Sequence, residues 1–249
     1  MNALHWLRYF EANRVERREP QWHLPSPLDL RARLLLARSL SHFQLGESGD
    51  GSFLLKQARA QAPDDETYRK ALALFIAEEN EHARLLALLV QRFGGALIHR
   101  HWTYLIFRQA RRAFGLNFEI QVLVIAELVG TAYYRLLHRR TRDPVLEEVC
   151  DLVLRDEVQH IAFHVDWLAQ FQSRLLPVER GFWSLQFQIL FTVAAQVAWI
   201  DHRHALATAG ASRGEFFNEA RLECIRFLSQ LVTAQSASTL SAVAEVSSA

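Results

Sequence analysis

Two cysteines in 249 residues, Cys150 and Cys224, are too few for a disulfide framework or for a four-cysteine iron site. Only ten glycines and six prolines interrupt the chain. No stretch alternates apolar and polar residues as a half-buried strand would. An excess of either charge is missing too. The formal net charge is +1, which gives no electrostatic case for nucleic acid or an acidic membrane as partner. The opening residues Met1 to Arg8 lack the basic start and unbroken apolar core of a secretion signal. What is present is 50% hydrophobic residues in helix-forming order, enough to bury a large core. The expectation is a soluble, all-α, enzyme-sized chain working in a reducing cytoplasm.

The chain reads as one domain. Residues 1–27 supply a short amphipathic helix carrying Leu4, Leu7 and Phe10, then a connector holding Pro20, Pro25 and Pro27. Residues 28–173 hold four long helices. The first runs from about Leu28 to Ala60 and the second from Asp64 to Phe93, where Gly94-Gly95 stops it. A long crossover with a helical piece near Trp102 to Phe114 follows. The third helix starts near Asn117, read as an N-cap, and reaches about His138; the fourth runs from Asp143 to Phe171. Residues 178–233 form further helices, and the Ser/Ala/Thr-rich tail 234–249 reads as disordered. Phe182 to Ile200 is long enough to raise a membrane question. Its polar stripe Ser184, Gln188, Thr192 and Gln196 favours packing on the bundle or on a second copy of the chain.

Two words share the pattern Glu-x-x-His: Glu79 with His82, and Glu157 with His160. Residues three apart lie on one face of a helix, so each word aims a carboxylate and an imidazole at one point. With 18 Glu and 11 His, chance alone supplies roughly 0.8 such matches, so position has to carry the argument. Each word has an upstream partner, Glu47 for the first and Glu127 for the second. In an antiparallel hairpin, residues at one height are equidistant from the turn. The midpoint of Glu47 and Glu79 is Pro63, in Ala62-Pro63-Asp64-Asp65-Glu66; that of Glu127 and Glu157 is Arg142, in Thr141-Arg142-Asp143-Pro144. Both are turn and helix-start signals, with Asp64 and Asp143 as candidate N-caps. Two hairpins thus bring six ligands to one level, the donor set of a four-helix site for two metal ions.

Hard carboxylate oxygens with one imidazole per metal suit iron or manganese, without the thiolates that select zinc or copper(I). The residue before each word, Glu78 or Asp156, is acidic as well. A ligating histidine usually gives its second N–H to a carboxylate. The expected pairs cross between hairpins, Asp156 to His82 and Glu78 to His160.

This set resembles the ferritin-like diiron carboxylate superfamily. Glu78-Glu79-Asn80-Glu81-His82 is similar to the corresponding word of soluble acyl-carrier-protein desaturases, and Asp156-Glu157-Val158-Gln159-His160 to their second word. Bacterioferritins and rubrerythrins share both words. The likeness covers residues 47–160 and implies a ferritin-like four-helix bundle with a long crossover between its second and third helices. It also implies two iron ions, with manganese or a mixed iron–manganese pair as the alternative, and dioxygen as co-substrate. The leading expectation is an oxidoreductase that desaturates, hydroxylates or N-oxygenates an organic molecule, small or carrier-bound. Iron oxidation and handling is the alternative. No flavin, haem or iron–sulfur motif is present, which implies an external electron donor, a ferredoxin or reductase. Two basic clusters, Arg108/Arg111/Arg112 and Arg139/Arg140/Arg142, are candidate docking points.

Neighbouring residues refine the expectation. Thr131 is one turn past Glu127, where multicomponent bacterial monooxygenases carry a threonine thought to manage protons; back-bonding to its own helix is the alternative. Gly46, Gly49 and Gly51 around Glu47 either leave space or break the first helix. His164, one turn past His160, reads as an outer partner of the ligands or a core histidine. A third nitrogen ligand in aryl-amine N-oxygenases precedes the glutamate, a slot held here by Val153. Tyr134 reads as a packed tyrosine, and Asp201 with His204 as a polar helix end.

Overall fold

A computed structural model describes residues 2–49, 51–111 and 114–247, with side chains up to residue 236, residue 110 excepted. Among the described residues there is no strand. In chain order the helices are α1 (Ala3–Val15), α2 (Leu30–Glu47), α3 (Ser52–Gln61), α4 (Glu66–Arg92), α5 (Trp102–Arg111), α6 (Leu116–Arg140), α7 (Pro144–Ser173), α8 (Pro177–Thr208) and α9 (Arg213–Ser247). Helices α2 and α4 pack as one pair and α6 and α7 as another, and α4 meets α7 across them. On the outside, α1 lies on α4, while α8 and α9 lie against α6.

Local chemistry accounts for most boundaries. Asp29, Asp65 and Asp143 cap α2, α4 and α7, each accepting hydrogen bonds from backbone N–H groups of the first turn. The cap of α4 is thus Asp65, one residue beyond the expected Asp64. Helix α6 begins one residue after Gly115, whose φ of +81° only glycine adopts at ease, so Asn117 lies inside the helix. There its side chain accepts a hydrogen bond from Trp167 Nε1.

The expected first helix is two. It stops at Glu47, and the chain turns through Ser48 and Gly51, the latter at φ +60°, before α3 begins. The break falls beside the glutamate that faces α4. The tail expected to be disordered continues α9 as helix to Ser247; its Ala, Leu, Glu and Gln residues are strong helix formers.

Helix α1 docks with the expected Leu7 and Phe10 against the core, but Trp6 replaces Leu4 on that face. Leu4 is 49% exposed, whereas Trp6 and Phe10 enter the core and meet Phe163 edge-on. Trp6 Nε1 also donates to Asp166 at 2.8 Å. Among the described residues, two helices, α6 and α8, are long and apolar enough to cross a membrane. Helix α6 is enclosed by protein, but α8 exposes Phe182, Leu185, Ile189 and Val193 along one side. Of the basic clusters, Arg111 pairs with buried Glu119, and Arg139 and Arg140 pair with Glu219 and Glu215 of α9. Arg112 lies outside the described residues.

Candidate metal centre

Helices α4 and α7 carry Glu79, His82, Glu157 and His160 to one place, with one ligand atom from each within 4.8 Å of the others. His160 Nδ1 is 2.8 Å from Glu79 Oε1 and 3.9 Å from Glu157 Oε2. His82 Nδ1 is 3.6 Å from Glu157 Oε1 and 3.9 Å from Glu79 Oε1. The i, i+3 spacing aims each pair along one helix face, and the antiparallel crossing interleaves them.

The other ring nitrogens point outward. His82 Nε2 lies 3.2 Å from Asp156 Oδ2, and His160 Nε2 lies 2.9 Å from Glu78 Oε2. Ionised carboxylates only accept, so in both rings Nε2 is the donor and Nδ1 is turned to the centre. His82 Nδ1 is sealed from solvent with no hydrogen-bond partner, and the equally buried His160 Nδ1 faces Glu79 Oε1. Glu157 Oε2 and Glu127 Oε2 are buried and unpartnered in the same way as His82 Nδ1. Buried polar atoms left unmade cost about 1–3 kcal/mol each, and several converging on one point call for a shared partner. This carboxylate–histidine cluster can hold a metal ion, and its donors fit one: oxygens and imidazole nitrogens, inward-facing and oriented from outside.

Glu47 and Glu127 approach from the remaining two helices. Glu47, at the end of α2, hydrogen-bonds Glu79. Burial raises its pKa well above the usual carboxylate range, and the neighbouring charges of Glu79, Glu157 and Glu127 add to the rise. Glu157 is raised for the same reasons, burial first and then Glu79. Burial also opposes ionisation of Glu79, but the adjacent His160 outweighs it and holds that carboxyl low. His160 is raised in turn, because Glu79 and Glu78 overcome its desolvation. The centre therefore stores protons that a bound cation would displace.

Glu127 is buried and accepts from His164 Nε2 at 3.0 Å, so His164 stands behind Glu127. Thr131 is buried with no hydrogen-bond partner for its hydroxyl, which rules out the back-bonded alternative. Tyr134 is buried too. Its hydroxyl is unpartnered and feels the charges of Glu47 and Glu157. Phe75 presents its face or edge to both His160 and His164, with ring centres 4.8 and 4.9 Å apart. Val153 is part of the core.

An outer layer from α1 has no counterpart in the motif. Asn13 Nδ2 donates to Glu78 Oε1 at 2.7 Å and to Asp156 Oδ1 at 3.0 Å. Arg17 Nη2 lies 3.1 Å from Asp156 Oδ2 and 3.4 Å from Glu78 Oε1. Asn13 follows Trp6 and Phe10 at helical spacing, and Arg17 extends the same line just past the helix end. That face was legible in principle as one stripe. Its destination, more than 60 residues away in sequence, was not.

No protein-family model, curated protein sequence or solved structure significantly matches the chain.

Proposed function

We propose that the protein is a dioxygen-activating oxidoreductase of the ferritin-like diiron type, with α2, α4, α6 and α7 as its four-helix bundle. The observation that carries this reading is the pair of buried, inward-facing Nδ1 atoms on His82 and His160, set among carboxylates from α2, α4, α6 and α7. The metal ligands would be Glu47, Glu79, His82, Glu127, Glu157 and His160, with iron favoured over manganese. When bound, iron supplies the redox steps that dioxygen reduction requires.

The chain's own residues do the rest. Glu78 and Asp156 fix the tautomers of His160 and His82, and Arg17 and Asn13 keep those two carboxylates in place. His164 orients Glu127. Phe75 shields the inner histidines with an apolar surface. The Thr131 hydroxyl, free of any helix bond, can hold and pass a proton beside the centre. Electrons come from an external ferredoxin or reductase, and the substrate is an organic molecule, small or carrier-bound. The two cysteines, both buried and free, accord with a reducing cytoplasm. The exposed apolar side of α8 is a candidate self-association surface.

Anaerobic reconstitution with ferrous iron is the test. The protein should take up about two irons per chain, and Glu79→Ala or His160→Ala should each lose at least one. Unchanged iron content in both variants overturns the ligand assignment. Oxygen consumption by the reduced protein should stop near that stoichiometry in a small oligomer. A hollow shell filling with far more iron would instead establish iron storage.

A further inference from the structure

A second cluster of histidines lies where α2, the segment before α5, and α8 meet. One ligand atom each from His42, Asp201 and His202 falls within 4.8 Å of the others. Asp201 Oδ2 is 4.0 Å from His42 Nδ1 and 3.7 Å from His101 Nδ1. None of these residues belongs to the Glu-x-x-His words. Asp201, expected to mark a polar helix end with His204, instead turns inward with an 11% exposed side chain.

Two features distinguish the cluster from a casual polar contact. His42 Nδ1 is sealed from solvent and has no hydrogen-bond partner. His202 is buried with its Nδ1 2.8 Å from Ser39 Oγ, which in turn lies 2.7 Å from the Tyr133 hydroxyl. A ring held from behind in this way leaves Nε2 for a ligand, the arrangement that orients metal-binding histidines.

We propose that His42, Asp201 and His202 form a second metal site, for a single imidazole-preferring divalent ion of the zinc class, with His101 as the adjoining fourth donor. Two nitrogens and one carboxylate oxygen, with a fourth position beside them, match the three-ligand zinc pattern. Bonds of about 2.0–2.1 Å set tetrahedral donors roughly 3.3 Å apart, so an ion would draw closer donor atoms that here lie within 4.8 Å of one another. His101 stacks on His42 at 3.9 Å between ring centres, and its Nδ1 contacts Thr103 Oγ1 at 2.6 Å. It joins the ion by turning out of that stack. The cluster has one carboxylate where the centre on α4 and α7 has several, which favours zinc-class ions over hard cations. An ion here ties the crossover and α8 to α2.

Zinc titration of the chelator-stripped, full-length protein, in competition with a chromophoric chelator, tests this independently of the first centre. Asp201→Asn, close in shape to the original, should remove one zinc per chain from the wild type and from a His82→Ala/His160→Ala variant alike. His42→Ala should weaken the same zinc at least tenfold, while Thr103→Val should leave it in place. X-ray absorption of zinc in the His82→Ala/His160→Ala protein should show scattering from at least two imidazoles. Unchanged zinc stoichiometry in Asp201→Asn, or an all-oxygen shell, overturns the site. If the His82→Ala/His160→Ala chain does not fold, the wild-type comparison with Asp201→Asn decides alone.

Discussion

His160 on α7 donates its Nε2–H to Glu78 on α4 at 2.9 Å, and Glu78 is the residue just before the other helix's Glu-x-x-His word. The relation is reciprocal, because His82 makes the equivalent bond to Asp156, just before the second word. Each helix thus holds the other's histidine. Removing the acceptor charge should loosen the ring without touching a ligand. Glu78→Gln and Asp156→Asn are each expected to weaken metal binding about 10–100-fold, with the helical circular-dichroism spectrum unchanged. Competition with a chelator of known affinity measures this, and wild-type affinity in both variants would remove the orienting role.

Metal binding and stability should depend on pH in a definite direction. Glu47, Glu157 and His160 have raised pKa values in the folded chain, so their stabilising contribution is full at low pH and fades as pH rises through the folded values. His42 and His202 act in the opposite sense. Their folded values are lowered from 6.5 to about 4 and about 3, so their contribution is lost as pH falls below about 6.5. Metal-free protein is therefore expected to be most stable near neutrality, with metal affinity rising toward alkaline pH as protons leave the centre. Urea midpoints from pH 4 to pH 9, with and without metal, give the profile. A midpoint that does not fall on the alkaline side in the metal-free protein contradicts the assigned directions.

Arg17 is the nearest cation shared by Glu78 and Asp156, both almost fully buried. Arg17→Met keeps the packed stem and deletes the charge. The expected loss is about 1–3 kcal/mol, the scale for leaving buried polar atoms short of a partner. It is limited because Asn13 still donates to both carboxylates and Arg155 still reaches Asp156. Chemical denaturation monitors the change, and a loss below about 0.5 kcal/mol would demote Arg17 to a surface charge.

Thr131→Val replaces a buried, unpartnered hydroxyl by a methyl of similar size, and so should slightly stabilise the chain rather than weaken it. Metal content should stay at the wild-type level. If the hydroxyl passes protons, the variant should couple oxygen consumption to product poorly and release hydrogen peroxide, with a rate loss of up to 10²–10⁴-fold. Equal peroxide yield from the two proteins would leave Thr131 a packing residue.

The glycines around Glu47 should respond differently to substitution. A Cβ at Gly51 would lie 2.3 Å from Ile76 Cδ1 and force a side chain into φ +60°, so Gly51→Ala should cost more than about 1 kcal/mol. At Gly46, inside α2, a Cβ meets nothing within 4 Å, and Gly46→Ala should stabilise by about 0.5–1 kcal/mol. Melting temperatures that shift the same way in both variants would contradict the αL turn after Glu47.

Periodicity, caps and spacing alone determined an all-helical chain, two hairpins, and the convergence of Glu79, His82, Glu157 and His160. These are local rules: a helix face repeats every 3.6 residues, an aspartate before a helix satisfies its first N–H groups, and equal distance from a turn sets equal height. The same logic foresaw the pairing of each histidine with the other word's acidic neighbour. Whether the first helix would run straight past Glu47 was beyond it, since the break depends on how Gly51 packs against Ile76. Tertiary structure decided everything that joins distant segments. It put Trp6 in place of Leu4 on the docking face of α1, brought Asn13 and Arg17 to the outer carboxylates, and set His42 beside Asp201 and His202. Such contacts have no sequence period, because they follow from which faces are left to bury once the long helices have paired.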